Sequence, residues 1–303
     1  MITVPREFAE WRIRVDGAAG RSWVRSLPSL VADLLERWDL TADTAEPLHG
    51  ALGLVVLVRR AEQRLALKLS PPGDGAEAGA LRAWRGRGVV ELVDSEPAAG
   101  ALLLERLDHT RSLHTLPIRD AAEVAGSLIR TLAVAAPAGL PTLAGVAAAI
   151  TDRLPRRQRA LGDPVPRRWL AAAGRYADEL GAAGERVLVH ADLHYGNVLA
   201  GTRQPWLAVD PRAVHGAPEY SVPELMWTRA DELHTDADVR RLLSVLTAAG
   251  RLDPAIAHGW VVVRCVDYWL WGLERGLTVD PARCERILAA LDQGVPGRTR
   301  PLS

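Results

Sequence analysis

The sequence predicts an α+β protein in two parts: a small antiparallel-sheet lobe at about 1–105, with N-terminal helices before the sheet, and a mainly helical large lobe at about 106–303. Three observations carry this. Stretches with strand character cluster at 48–69 and 89–104. From residue 118 onward most segments repeat apolar residues at three- and four-residue steps. A concentrated set of polar residues, His190, Asp192, His194, Asn197 and Asp210, sits at the ends of short apolar strands inside the helical part. Strands grouped before helices indicate segregated α+β layers rather than an alternating α/β sheet. At 303 residues the chain is long enough for two domains or one two-lobed domain.

Taken in order, residues 5–16 mix apolar and basic side chains and suit a short helix. Residues 21–40 place Leu27, Leu30, Val31, Leu34, Leu35 and Trp38 on one helical face, with Pro28 near the start, where proline is tolerated. Strands follow at Leu54–Val58 and Arg64–Leu69, across a short polar turn. Lys68 lies inside the second of these apolar runs, so it either faces solvent or serves a buried partner. Residues 73–88 read as a loop and a helix carrying Glu77, and strands recur at Val89–Val93 and Ala101–Leu104. Helical spacing then marks Ile118–Ala135, Arg167–Leu180, Asp236–Ala248, Pro254–Leu273 and Pro281–Leu291. The basic stretch Arg153–Arg159 reads as a solvated face or a turn at a helix end.

The polar set defines the chemistry. Val187–Val189 runs into His190, Asp192 and Asn197; Asn197–Leu199 and Trp206–Val209 are two further short strands, and the last ends on Asp210. Phosphoryl transfer needs an Asp to accept the proton of the attacking hydroxyl, an Asn five residues later to hold a metal ion, and a second Asp at a strand end for metal on the nucleotide phosphates. Asp192, Asn197 and Asp210 fit those roles and spacings. Two other readings stay open here: His190-Ala-Asp192-Leu-His194 as three ligands of a metal hydrolase, and a polar turn between core strands. Composition favours phosphoryl transfer. Lys68 is the sole lysine among 37 basic residues, and Asn197 is the sole asparagine. Arginine replaces lysine readily at solvated positions but not where a compact ammonium is required. Both singletons fall where phosphoryl transfer needs them.

The stretch His190-Ala-Asp192-Leu-His-Tyr-Gly-Asn197 resembles the H-x-D-x-x-x-x-N catalytic loop of aminoglycoside phosphotransferases. The wording through Pro205-Trp-Leu-Ala-Val-Asp210-Pro resembles the streptomycin 6-kinase and hydroxyurea kinase branch most, over most of the chain. The resemblance implies a protein-kinase-like fold, ATP and Mg²⁺ as cofactors, and transfer of the γ-phosphate to a hydroxyl of an aminoglycoside, with streptomycin the leading acceptor. It places Lys68 on the phosphates with Glu77 as its partner, although a solvated helix charge is the alternative for Glu77. It makes Glu105-Arg106-Leu107 the interlobe hinge, whose backbone at Glu105 and Leu107 would bond an adenine ring. The resemblance also predicts G-D-P-E-Y-D at 216–221, where the chain has Ala217 and Ser221; the second missing carboxylate would brace the catalytic loop. Competing readings are a hydroxyurea kinase, an amino-sugar kinase and a catalytically silent nucleotide-binding homologue.

For the acceptor, Glu224, Asp231 and Asp267 with Trp271 suit a small polycation, because carboxylates and aromatic faces bind guanidinium and ammonium groups; each carboxylate alone also reads as a solvated helix charge. Acidic and basic residues balance at 37 each, so nothing indicates a nucleic-acid or polyanion partner, and no obligate protein partner is evident. The start lacks a signal-peptide pattern and the run 133–150 is interrupted by Pro137 and Pro141, which argues against a membrane span. Two cysteines, Cys265 and Cys284, suit a reduced cytoplasm.

Overall fold

A computed structural model describes residues 2–50, 52–73, 75–181, 183–184 and 186–292. The chain divides into two compact units, Met1–Asp108 with Gly201–Arg203, and His109–Ala200 with Gln204–Ser303.

In the N-terminal unit, α1 (Arg6–Arg37) contains a kink at Gly17, whose φ of 60° and ψ of −126° suit glycine. The two expected helices thus meet at that residue, one on each side of the non-helical glycine. An antiparallel sheet follows, in the order β1 (Thr41–Ala42), β3 (Leu54–Arg60), β4 (Gln63–Leu69), β6 (Ala101–Glu105), β5 (Leu92–Glu96), with β2 (Leu48–His49) also paired to β3. Alternation sets its faces. Leu54, Val56 and Val58 of β3, Leu65, Leu67 and Leu69 of β4, and Leu103 of β6 join Phe8, Leu27, Val31 and Leu34 of α1 in one core. Each such side chain contributes roughly 1.5–3 kcal/mol by leaving water. Lys68 belongs to the opposite register, facing Val55 and Leu102 across the ladder.

The strand expected at Val89–Val93 lies three residues later. Val89 and Val90 are buried ahead of β5, Val89 in a single β-bridge, and β5 enters the ladder through a bulge at Leu92/Asp94. An apolar run reports burial, and here burial begins before the continuous strand does.

The C-terminal unit is helical: α3 (Ile118–Leu132), α4 (Leu143–Ala160), α5 (Arg167–Leu180), α6 (Val222–Trp227), α7 (Asp236–Gly250), α8 (Pro254–Glu274) and α9 (Val279–Asp292). Caps fix two starts: Thr235 and Asp238 form a capping box for α7, and Asp253 accepts from the amides of Ala255 and Ile256 to begin α8. Helix α3 lies so close to α7 that a Cβ on Gly126 would come within 2.7 Å of the Leu246 carbonyl oxygen. Helix α4 has no counterpart in the sequence expectations. Its first half is alanine-rich, Pro155 interrupts it, and its end is basic, so no amphipathic period stands out. Short strands carry the polar loops: β8 (Val187–Val189) pairs with β11 (Val214–Gly216), and β9 (Val198–Ala200) lies between β10 (Trp206–Ala208) and β7 (Asp108–Ser112). No helix among the described residues is long and apolar enough to cross a membrane.

Candidate active site

The loop between β8 and β9 is held from below by backbone bonds. The His190 Nε2–H donates to the Val209 carbonyl at 3.0 Å, the Arg212 amide donates to the His190 carbonyl at 2.9 Å, and the Val209 amide donates to the Asn197 carbonyl at 2.8 Å. Ala191 and Asp210 adopt left-handed φ values of 56° and 59°. Such conformations are unfavourable for residues with a Cβ and persist where surrounding structure enforces them. They turn the chain on either side of this hydrogen-bonded base, next to Asp192 and at Asp210 itself.

Asn197 donates from Nδ2 to the Asp192 carbonyl at 2.9 Å, which ties the two ends of the loop and turns its Oδ1, the atom a cation takes, away from that bond. Asp192 is contacted by the Arg212 guanidinium, Nε to Oδ2 at 3.2 Å. Neither histidine of the His-x-Asp-x-His pattern is arranged as a ligand with the other. His190 is buried on Val209, and His194 Nδ1 accepts from the Gly196 amide at 3.1 Å. Burial lowers the His194 pKa, against the opposing charges of Asp192 and Asp210. No group of three His, Cys, Asp or Glu among the described residues could hold a metal ion. An Asn and an Asp alone suit Mg²⁺, which retains waters and takes phosphate oxygens as further ligands.

In the N-terminal unit, Lys68 Nζ donates to Glu77 Oε1 at 2.6 Å, with side chains only 11% and 21% exposed. Glu77 lies in the first turn of α2 (Ala76–Trp84). Lys68 is thus central in a sheet and paired, rather than a solvated strand charge. Gly53 passes so close to the Leu69 carbonyl oxygen that a Cβ would lie 2.8 Å from it. At the end of β6, the Glu105 side chain accepts from the Glu91 amide at 3.0 Å and from Arg203 at 2.9 Å. The Glu105 amide donates to the Glu91 carbonyl, Leu107 is buried, and Arg106 pairs with Asp43.

The residues expected to face an acceptor carry arginine partners. Asp267 is buried and takes two bonds from Arg153, at 2.7 and 2.6 Å, and one from Arg157 at 3.2 Å. Asp231 is exposed and held by Arg283 at 3.0 Å, which lowers its pKa. Glu224 accepts from Arg264 at 2.9 Å and lies within hydrogen-bonding reach of Asp192; burial first, then the Asp192 charge, pushes its pKa up to about 7. Trp271 is half-buried in a ladder: Trp227 stacks on Tyr268 at 4.7 Å, Tyr268 on Trp271 at 5.2 Å, and Arg275 covers Trp271 at 4.3 Å. The basic stretch at the end of α4 divides, with Arg153 and Arg157 turned inward and Arg156 and Arg159 exposed. Sequence reasoning missed Arg212, Arg264 and this inward pair, because arginine is the default cation of the chain and carries no positional signal.

Residues 37–276 match the family described as aminoglycoside/hydroxyurea antibiotic resistance kinase. The chain is 41% identical to a streptomycin 6-kinase of Streptomyces glaucescens, over 93% of this chain and 95% of that protein. It is also 41% identical to a hydroxyurea phosphotransferase of Kitasatospora aureofaciens, over 93% of this chain and 84% of that protein. Among solved structures, aminoglycoside phosphotransferase APH(4)-Ia shares the fold with a TM-score of 0.61 at 17% identity, covering 89% of this chain and 99% of that one. Choline kinase LicA from Streptococcus pneumoniae does so at 0.55 and 14% identity, covering 88% and 99%. With a family match across most of the chain and relatives this similar over nearly all of it, the protein belongs to the aminoglycoside/hydroxyurea antibiotic resistance kinases, on a protein-kinase-like fold.

Proposed function

We propose that this protein transfers the γ-phosphate of ATP to a hydroxyl of an aminoglycoside, with streptomycin as the acceptor. The observation that carries the reading is the braced loop in which Asn197 ties back to Asp192, set in a chain 41% and 39% identical to two streptomycin 6-kinases. Asp192 orients the acceptor hydroxyl and takes its proton as the oxygen attacks phosphorus. Lys68, fixed by Glu77, aligns the phosphates, and the Glu105 carbonyl and Leu107 amide present the backbone groups for adenine. Asn197 and Asp210 hold Mg²⁺, which when bound offsets charge on the phosphate oxygens.

The acceptor reading rests on the relatives more than on surface charge, because Glu224, Asp231 and Asp267 are each engaged by arginine. The Trp227–Tyr268–Trp271 ladder is of a kind that suits a guanidinium, and it too carries arginine, with Arg275 over its outer ring. The hydroxyurea phosphotransferase relative, at the same 41% identity, supports hydroxyurea as the second reading. Purified protein with saturating ATP and Mg²⁺ is assayed against streptomycin, hydroxyurea and glucosamine across a salt series. Streptomycin turnover that weakens with salt, over a Debye length of about 8–10 Å, is the expected result. Turnover of hydroxyurea or glucosamine with none of streptomycin would overturn the acceptor and leave the kinase reading standing. ATP binding with no turnover of any acceptor would favour the silent homologue.

A further inference from the structure

Ser221 stands where the resemblance predicts a carboxylate bracing the catalytic loop, and it makes no side-chain cap bond at the start of α6. Glu224 follows three residues later, on the same face of the turn. Its Oε1 accepts from Arg264 at 2.9 Å. Its Oε2 is buried, and no donor among the described residues reaches it. The carboxyl lies within hydrogen-bonding reach of the Asp192 side chain. Two ionised carboxylates in that contact would repel, and a buried oxygen without a donor is costly. One proton resolves both problems.

We propose that Glu224 is a positioning residue for Asp192: as a neutral acid it donates from Oε2 to the Asp192 carboxylate, while Arg264 fixes its Oε1 and Arg212 contacts the same Asp192. The inference rests on the reading of Asp192 as the base. It gives the missing carboxylate a substitute one helical turn further on, and it leaves the negative charge on Asp192, where proton abstraction needs it.

The surroundings agree. Burial raises the Glu224 pKa to about 7, and the Asp192 charge adds to it against Arg264. From α8, Arg264 and Tyr268 act on the group, with Asp267 behind Arg264; Tyr220 acts on it from the turn before α6; Asp192 faces it from the loop, itself contacted by Arg212. From α9, Asp280 and Cys284 act on Tyr268. Below neutrality the acid holds its proton. As pH rises through about 7, Glu224 ionises, a second charge appears beside Asp192 and the bridge is lost.

Glu224→Gln keeps an acceptor for Arg264 and a donor for Asp192 but cannot ionise; Glu224→Ala keeps neither. Expected for Glu224→Ala is a kcat lower by roughly 10²-fold, as for a misplaced catalytic group, with the KM for ATP unchanged. Glu224→Gln is expected to recover most of that loss and to flatten the alkaline limb of the kcat profile. A Gln variant as impaired as Ala, an Ala variant with normal kcat, or a change confined to the acceptor KM would overturn the proposal. Infrared difference spectra of the protein alone, without ATP or acceptor, supply the second readout. A protonated-carboxyl band is expected at about pH 6, lost by about pH 9 and absent from Glu224→Gln. No such band at the lower pH overturns the shared proton even if Ala does not fold. A wild type that phosphorylates no acceptor defeats the kinase reading instead, and the spectra still decide the proton.

Discussion

Lys68 and Glu77 meet at 2.6 Å with both side chains largely out of water, so the geometry of the ammonium is set by one short bond. A guanidinium is larger and planar and cannot occupy that point beside a carboxylate and a phosphate together. Lys68→Arg is expected to lower kcat/KM for ATP by on the order of 10², the scale of a displaced catalytic group, although arginine serves at every other basic position. Steady-state kinetics with ATP varied checks this, and normal activity would defeat the argument from the lone lysine. Asp192→Asn should keep the bond from Asn197, which uses the backbone carbonyl, while losing the base. The expected result is a kcat lower by roughly 10²–10⁴ with ATP affinity nearly intact, measured by turnover and by calorimetric titration of ATP. At this scale Lys68, Asn197 and Asp192 were legible because biased composition left two of those residue types almost nowhere else. Arg212 and Arg264 were not legible, since a chain that uses arginine for nearly every cation gives none of them a distinguishing context.

Among the elements, α4 and α8 are joined by charge inside a helical packing. Asp267 on α8 is nearly fully buried, and Arg153 and Arg157 reach it from α4. Removing one partner of such a set leaves a charge uncompensated, so Asp267→Ala is expected to cost about 3 kcal/mol, read as a lower denaturation midpoint. Unchanged stability with a raised acceptor KM would instead restore Asp267 to the acceptor site. A second contact tests packing alone. Gly126 of α3 leaves no room against α7, and Gly126→Ala should lose about 1–3 kcal/mol by overpacking despite the better helix propensity of alanine. The helices with clear apolar periods, such as α5 and α8, were readable to within a residue or so. Helix α4 was not, because its alanine-rich start and basic end carry no stripe, and its contacts are ionic and remote in sequence.

For the whole molecule, the order of element types gave the α+β class, since strand runs precede helical ones and local spacing reveals both. Pairing did not show in the same way: β7 is polar and mostly exposed, and only its neighbours identify it as a strand. The charge balance is a global property with its own consequence. With 37 acidic and 37 basic residues the chain has no net charge near neutrality, so self-repulsion is least there. Solubility, measured by precipitation across a pH series, is expected to pass through its minimum near pH 7 and to rise on either side.

A protein with one lysine side chain also has only one internal primary amine. Every amine-directed reagent that crosses into the fold, whether an acylating dye, an aldehyde fixative or an immobilising resin, must therefore choose between the chain's α-amino end and the Glu77-bound ammonium. Labelling beyond the α-amino group therefore reports Lys68 alone, and slower appearance of that second label with ATP present is the expected sign of the proposed phosphate contact.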